Sequence, residues 1–172
     1  MTQRKLLFIV NPRAGRSKSR SPLFDAISVF SEAGYLTSLH ETTAPGDASI
    51  TAAREGEDYD LIVAAGGDGT LNEVITGLMC LENRPLLGYL PQGSTNDFAA
   101  SLQISGNPVI AARAIVRNVP RMLDIGQWNG RFFVYVASFG AFVKSSYSAS
   151  QAAKNALGHF ASMLEGMKDL NT

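Results

Sequence analysis

The chain has 172 residues, 45% of them hydrophobic, enough to bury the core of one domain and part of another. Fifteen basic and fifteen acidic side chains cancel, which excludes a global field drawing the protein to nucleic acid or an anionic membrane. The apolar stretch Leu6–Val10 is too short for a signal peptide, and the run from Phe132 to Val143 is broken by Ser138 and Gly140. With one cysteine, Cys80, an internal disulfide is excluded, and a cytoplasmic protein is expected.

Lys5–Val10, closed by Asn11-Pro12, reads as a buried strand. Ser21-Pro22 supplies a cap and a first-turn proline for a helix bearing Leu23, Phe24, Ile27 and Phe30 at helical spacing, and Gly34 stops it. Tyr35–His40 is a second strand, followed after Gly46 by a helix through Glu55. Leu61–Ala65 is a third strand. Leu71–Leu81 is a helix whose face carries Leu71, Val74, Ile75 and Leu78, with Cys80 read as a buried structural thiol on the same pattern. Leu86–Leu90 is a fourth strand, with a short helix after Asn96 and another from Asn107-Pro108 to about Asn118. Strand and helix alternate, which predicts an α/β domain over residues 1–120: a parallel sheet flanked by helices.

After Pro120 the pattern changes. Arg121–Trp128 and Arg131–Ser138 flank Asn129-Gly130, a two-residue hairpin signal, and a helical pattern over Ala152–Leu170 follows. Residues 121–172 therefore read as the incomplete start of an antiparallel β-sandwich, with Trp128, Phe132, Phe133 and Tyr135 as core. Such a unit either pairs with a second copy or belongs to a larger domain.

Ligands of parallel α/β sheets bind outside the carboxyl ends of the strands. Three loops leave such ends: Asn11-Pro-Arg-Ala-Gly-Arg16, Gly66-Gly-Asp-Gly-Thr70 and Pro91-Gln-Gly-Ser-Thr-Asn-Asp97. They are rich in residues that bring backbone N–H groups and hydroxyls onto phosphate oxygens, and the second and third open helices. Any one alone could be a plain strand-to-helix turn; three at one edge point to a phosphate site. No Gly-x4-Gly-Lys-Ser/Thr occurs, and Asn72 stands where a dinucleotide fingerprint needs its third glycine. Cationic help must come from Arg13, Arg16, Lys18 or a metal ion.

A carboxylate beside polyphosphate is repelled unless Mg²⁺ bridges the two or it meets a hydroxyl. Asp68 is the central candidate, with a helix cap as its alternative; Asp97 stands at a helix start, and Asp124 is an isolated acid in an apolar stretch. His40 and His159 are far apart in sequence and without cysteine neighbours, so neither zinc nor a Ser-His-Asp triad is expected.

NPRAG at 11–15, GGDGTLNE at 66–73 and PQGSTNDFA at 91–99 together resemble the diacylglycerol kinase catalytic domain, with sphingosine kinases and NAD kinases as more distant kin. MLDIG at 122–126 and KNALGHFASMLEG near the end also fit the bacterial lipid-kinase pattern. The resemblance implies ATP- and Mg²⁺-dependent phosphorylation of a lipid hydroxyl, diacylglycerol-like, at a membrane surface. It implies that Asn11, Pro12, Arg13, Ala14, Gly15, Thr42, Gly67, Asp68, Gly69, Thr70, Leu71, Asn72, Glu73 and Ser94 line the ATP site. By the same resemblance, Asp68 sits nearest the phosphates and binds Mg²⁺, Asp97 faces the acceptor, and Asp124 holds a water of the Mg²⁺ network. Gly93-Ser94-Thr95 departs from the family's Gly-Thr but keeps the hydroxyl. The family's downstream Asp-Gly-Glu, with the general base, does not occur in these 172 residues. The chain is thus expected to carry the nucleotide half of the enzyme; a non-catalytic nucleotide-binding module and an NAD kinase-like enzyme are the alternatives.

Overall fold

The computed structural model describes residues 3–14 and 21–134. Six strands and five α-helices follow one another in these residues: β1 (Arg4–Val10), α1 (Ser21–Glu32), β2 (Tyr35–Glu41), α2 (Asp47–Glu55), β3 (Leu61–Gly66), α3 (Asp68–Leu78), β4 (Leu86–Pro91), α4 (Asp97–Ser101), α5 (Pro108–Arg117), β5 (Gly126–Trp128) and β6 (Arg131–Phe133). The first four strands form one sheet in the order β2-β1-β3-β4, every pair parallel.

Alternation along the strands sorts the core into two layers. Leu6 and Phe8 of β1, with Leu61, Val63 and Ala65 of β3, face Ala26 and Phe30 of α1 and Ala111 and Ala112 of α5. Leu7 and Ile9, with Ile62 and Ala64, face the other way, toward Ala48 and Ala52 of α2 and Leu71, Val74, Ile75 and Leu78 of α3. Because both faces are covered, β3 is buried at all six positions, as its continuous apolar run requires. The predicted parallel α/β architecture is the one observed.

Local signals set several boundaries. Asn107 caps α5 by accepting from the Val109 and Ile110 amides at 3.0 and 3.2 Å, with Pro108 in the first turn. Asn129 and Gly130 both have positive φ, 52° and 77°, as the tight hairpin joining antiparallel β5 and β6 requires.

Three expectations need correction. Helix α3 ends at Leu78, so Cys80 falls in the following turn and is exposed rather than buried. The hairpin ladder is shorter than its apolar pattern suggested: residues 121–125 belong to no strand, and β5 begins only at Gly126. Trp128 is 71% exposed and is not core among the described residues, although Ile125 and Val134 pack on the α2–α3 layer. The end of the second hairpin strand, the helix expected over Ala152–Leu170 and His159 lie outside the described residues. Among the described residues no helix is long and apolar enough to cross a membrane.

Candidate functional site

From β1 the chain moves outward to β2, then returns past β1 to β3. The topological switch therefore lies between the carboxyl ends of β1 and β3, where parallel sheets hold their ligands. Each loop at this edge is anchored by one backbone bond to its neighbour: Thr42 N–H to Val10 O and Asn11 N–H to Ala65 O, both 2.9 Å, and Gln92 N–H to Gly66 O, 2.7 Å. All three motifs and Thr42 thus share one rim.

Side chains then join loop to loop. Asn11 donates through Nδ2 to Thr70 Oγ1 at 3.1 Å and accepts the Arg13 amide at 2.9 Å, so the first loop is folded onto the start of α3. Gly67 and Gly93 meet backbone to backbone: a Cβ on Gly93 would stand 2.6 Å from Gly67 Cα. Asn96, at a left-handed φ of 54°, closes its own loop by exchanging two 2.8 Å bonds with Gly93 N–H and C=O.

Asp68 carries the longest-range tie. Its Oδ2 accepts the Asp97 amide at 2.8 Å, and its Oδ1 lies 3.4 Å from both the Phe98 amide and the Tyr89 hydroxyl. The carboxylate that opens α3 therefore caps α4. Sequence spacing offered a cap as the alternative to a ligand role; the structure shows a cap, but of the helix one loop away. Burial, with the Asp68 charge beside it, pushes the Tyr89 hydroxyl well above the ordinary tyrosine pKa and keeps it a donor.

The two helix starts consequently differ. Helix α4 has its first amides occupied by Asp68. Helix α3 has Gly67 at its N-cap with no side-chain cap, so the amides of Asp68, Gly69 and Thr70 form an open donor set at the positive end of an eleven-residue helix. A Cβ on Gly69 would meet nothing within 4 Å among the described residues, and Gly69 is exposed in this first turn. An anionic phosphate fits this cradle.

Among the described residues no group of three or more His, Cys, Asp or Glu gathers to hold a metal. A carboxylate offers about four lone-pair sites, and Asp68 has partners for three. It fits Mg²⁺ in the way that ion usually binds beside nucleotides: through one or two carboxylates, with phosphate oxygens and waters completing the shell.

The remaining residues fall unevenly. Leu71 is 1% exposed in the core, and its amide is bonded to Gly67 O. Asn72 and Glu73 are half-buried in the first turns of α3. Pro12 and Arg13 are exposed at the rim and Ala14 is half-buried; Gly15, Arg16 and Lys18 lie outside the described residues. Ser94 is half-buried in the Gly93–Asn96 loop, and Asp97 is the first residue of α4. Asp124 lies exposed on the stretch before β5, with no bond to the Asp68 cluster.

Tyr89 and Asn96 were not singled out by sequence, nor was a second network flanking Thr42. There Asp47 accepts the Thr43 amide at 2.7 Å and its hydroxyl at 2.9 Å, while His40 Nε2 lies 3.2 Å from Asp47 and 3.1 Å from Thr51 Oγ1. The Thr43 bonds, aided by His40, hold the Asp47 carboxyl below its ordinary pKa.

A parallel α/β sheet with glycine-rich loops and an uncapped helix start at its switch point is an architecture suited to binding phosphate, and known proteins narrow the class. Residues 5–128 match the diacylglycerol kinase catalytic domain. The chain is 43% identical to the diacylglycerol kinase of Bacillus subtilis (strain 168) over 164 residues, 94% of this chain and 54% of the relative. It is 37% identical to the diacylglycerol kinase of Staphylococcus aureus (strain bovine RF122 / ET3-1) over 169 residues, 98% of this chain and 54% of the relative. The crystal structure of a diacylglycerol kinase from Bacillus anthracis str. Sterne superposes with a TM-score of 0.70 at 33% identity, covering 77% of this chain and 46% of that one. The chain belongs to the diacylglycerol kinase catalytic domain family. It spans about half the length of the curated relatives it matches.

Proposed function

We propose that this chain is the nucleotide-binding part of a lipid kinase that moves the γ-phosphate of ATP to the hydroxyl of a diacylglycerol-like lipid at a membrane surface. The open start of α3 at the switch point carries the reading, and the relatives' names supply the substrate class. In this reading residues 1–120 hold ATP, and residues 121–172 begin a second, β-sandwich domain.

Phosphoryl transfer asks chiefly for positioning and charge neutralisation. The amides of Asp68, Gly69 and Thr70 receive phosphate oxygens, with Asn11 and Thr70 fixing the near wall and Thr42 and Ser94 the flanks. Asp68, and Asp124 through a water, would hold Mg²⁺, which would supply charge neutralisation when bound. The acceptor oxygen bonds to the γ-phosphorus as the bond to the bridging oxygen breaks, and ADP leaves with the electron pair. Asp97 faces the acceptor. The hydroxyl proton goes to the family's Asp-Gly-Glu carboxylate, a motif not found in these 172 residues. A positioned base of this kind typically contributes about 10²–10⁴-fold to the rate.

Calorimetry with ADP and Mg²⁺, paired with labelled ATP and diacylglycerol micelles, tests the reading. Mg²⁺-dependent ADP binding that is lost in Asp68→Ala, with labelled lipid in excess of the buffer control, is expected. Absence of nucleotide binding overturns the reading. Binding without labelled lipid favours a non-catalytic nucleotide module, and phosphorylation of NAD favours the NAD kinase-like alternative.

A further inference from the structure

We propose that Tyr89 is a positioning residue whose hydroxyl couples the Asp68 carboxylate to the Gly93–Asn96 loop, so that both glycine loops meet the nucleotide as one surface. The use of that surface rests on the nucleotide-binding reading above; the coupling itself does not. Tyr89 lies near the carboxyl end of β4 and is 5% exposed, with its ring among the apolar side chains of the α2–α3 layer and 6.4 Å from that of Phe98. For packing alone, phenylalanine would serve. A buried phenol costs free energy unless its hydroxyl finds a partner, and this one reaches the place where two loops converge.

There it has one proton and two acceptors, Asp68 Oδ1 at 3.4 Å and Asn96 Oδ1 at 3.3 Å. Both distances exceed the usual O–H···O range of about 2.5–3.0 Å, so the hydroxyl is within reach of both acceptors and held tightly by neither. Each acceptor also serves its own loop: Asn96 Oδ1 takes the Gly93 amide at 2.8 Å, and the Asp68 carboxylate takes the amides of Asp97 and Phe98. A shift of Asp68 therefore changes how strongly the hydroxyl holds Asn96, and Asn96 sets Gly93, whose backbone abuts Gly67. The circuit runs from Gly67 through Asp68, Tyr89, Asn96 and Gly93 back to Gly67. Tyr89 is its only member on a strand, which gives the circuit a rigid reference.

The test is Tyr89→Phe, which keeps the ring. In the ligand-free protein, amide hydrogen exchange at Gly93, Asp97 and Phe98 is expected to quicken by about three- to tenfold, the weight of one hydrogen bond, with exchange within β1 and β3 unchanged. The Mg²⁺ concentration giving half-maximal ADP binding is expected to rise by a similar factor. A merely structural role would lower the melting temperature without moving that Mg²⁺ requirement. Unchanged exchange at the three amides, or one uniform acceleration across the sheet, overturns the coupling. If wild type binds no ADP, the nucleotide reading falls and the exchange pattern still decides the coupling. If wild type binds and the variant's Mg²⁺ requirement is unchanged, the positioning role is overturned.

Discussion

At the amino end of the parallel sheet, long or charged groups finish the strands. Arg4 donates to Ala33 O and lies over the Tyr35 ring; Asp60 accepts the Lys5 amide at 2.7 Å; Glu57 accepts the amides of Glu82 and Asn83. At the carboxyl end the side chains that accept backbone amides are short, Asn11, Asn96 and Asp68, and Gly67 and Gly93 bring two loops into backbone contact. The amino end thus satisfies these backbone donors within the protein, whereas the carboxyl end leaves the first amides of α3 without a side-chain cap. The first uses long or charged side chains, the second short ones and glycines. On the nucleotide-binding reading proposed above, economy of volume distinguishes the binding rim from the structural one.

The sharpest way to break this contrast is Gly93→Ala. Its methyl would stand 2.6 Å from Gly67 Cα and 2.7 Å from Asn96 Oδ1, and backbone cannot give way as a long side chain can. Overpacking of this kind costs about 1–3 kcal/mol, read by urea unfolding, and Mg²⁺-dependent ADP binding should be lost in calorimetry. An unchanged variant would mean that the two loops are not held in contact. Asp60→Ala makes the complementary cut at the other end: about 1 kcal/mol of stability lost with its hydrogen bond, and ADP affinity untouched. A fall in affinity there would erase the distinction between the two ends.

The smallest effect concerns Asp47, beside the rim. Its folded pKa is depressed, so its contribution is present above the ordinary value of 3.8 and is lost as pH falls through the lower folded value. Melting temperatures of wild type and Asp47→Asn should differ by a constant amount at higher pH, and the gap should close below 3.8. A gap that persists in acid would trace the stabilisation to packing instead of charge.

Most of the architecture was legible because it is local. Apolar runs marked the strands, Asn107-Pro108 the cap of α5, and Asn129-Gly130 the hairpin. The three rim loops announced themselves by composition. What stayed hidden was crossing between elements. Asp68 reaches an amide 29 residues away, and nothing in GGDGT says that its carboxylate caps the next helix along. Tyr89 looked like one more apolar strand residue, since periodicity assigns a face and not the destination of a hydroxyl. Cys80 was misread because a hydrophobic pattern can continue past the last helical turn, while the phase that buries its members cannot.

Gly69 has a consequence for how substitutions at this rim would be tolerated. Among the described residues nothing requires glycine there: a Cβ would meet no neighbour within 4 Å, and in a helix alanine is preferred. Any pressure to keep the position bare must come from what arrives in front of it. A substitution survey scored by protein abundance and one scored by ligand capture should therefore disagree at Gly69 while agreeing at Gly93, which separates selection for a visitor from selection for a shape.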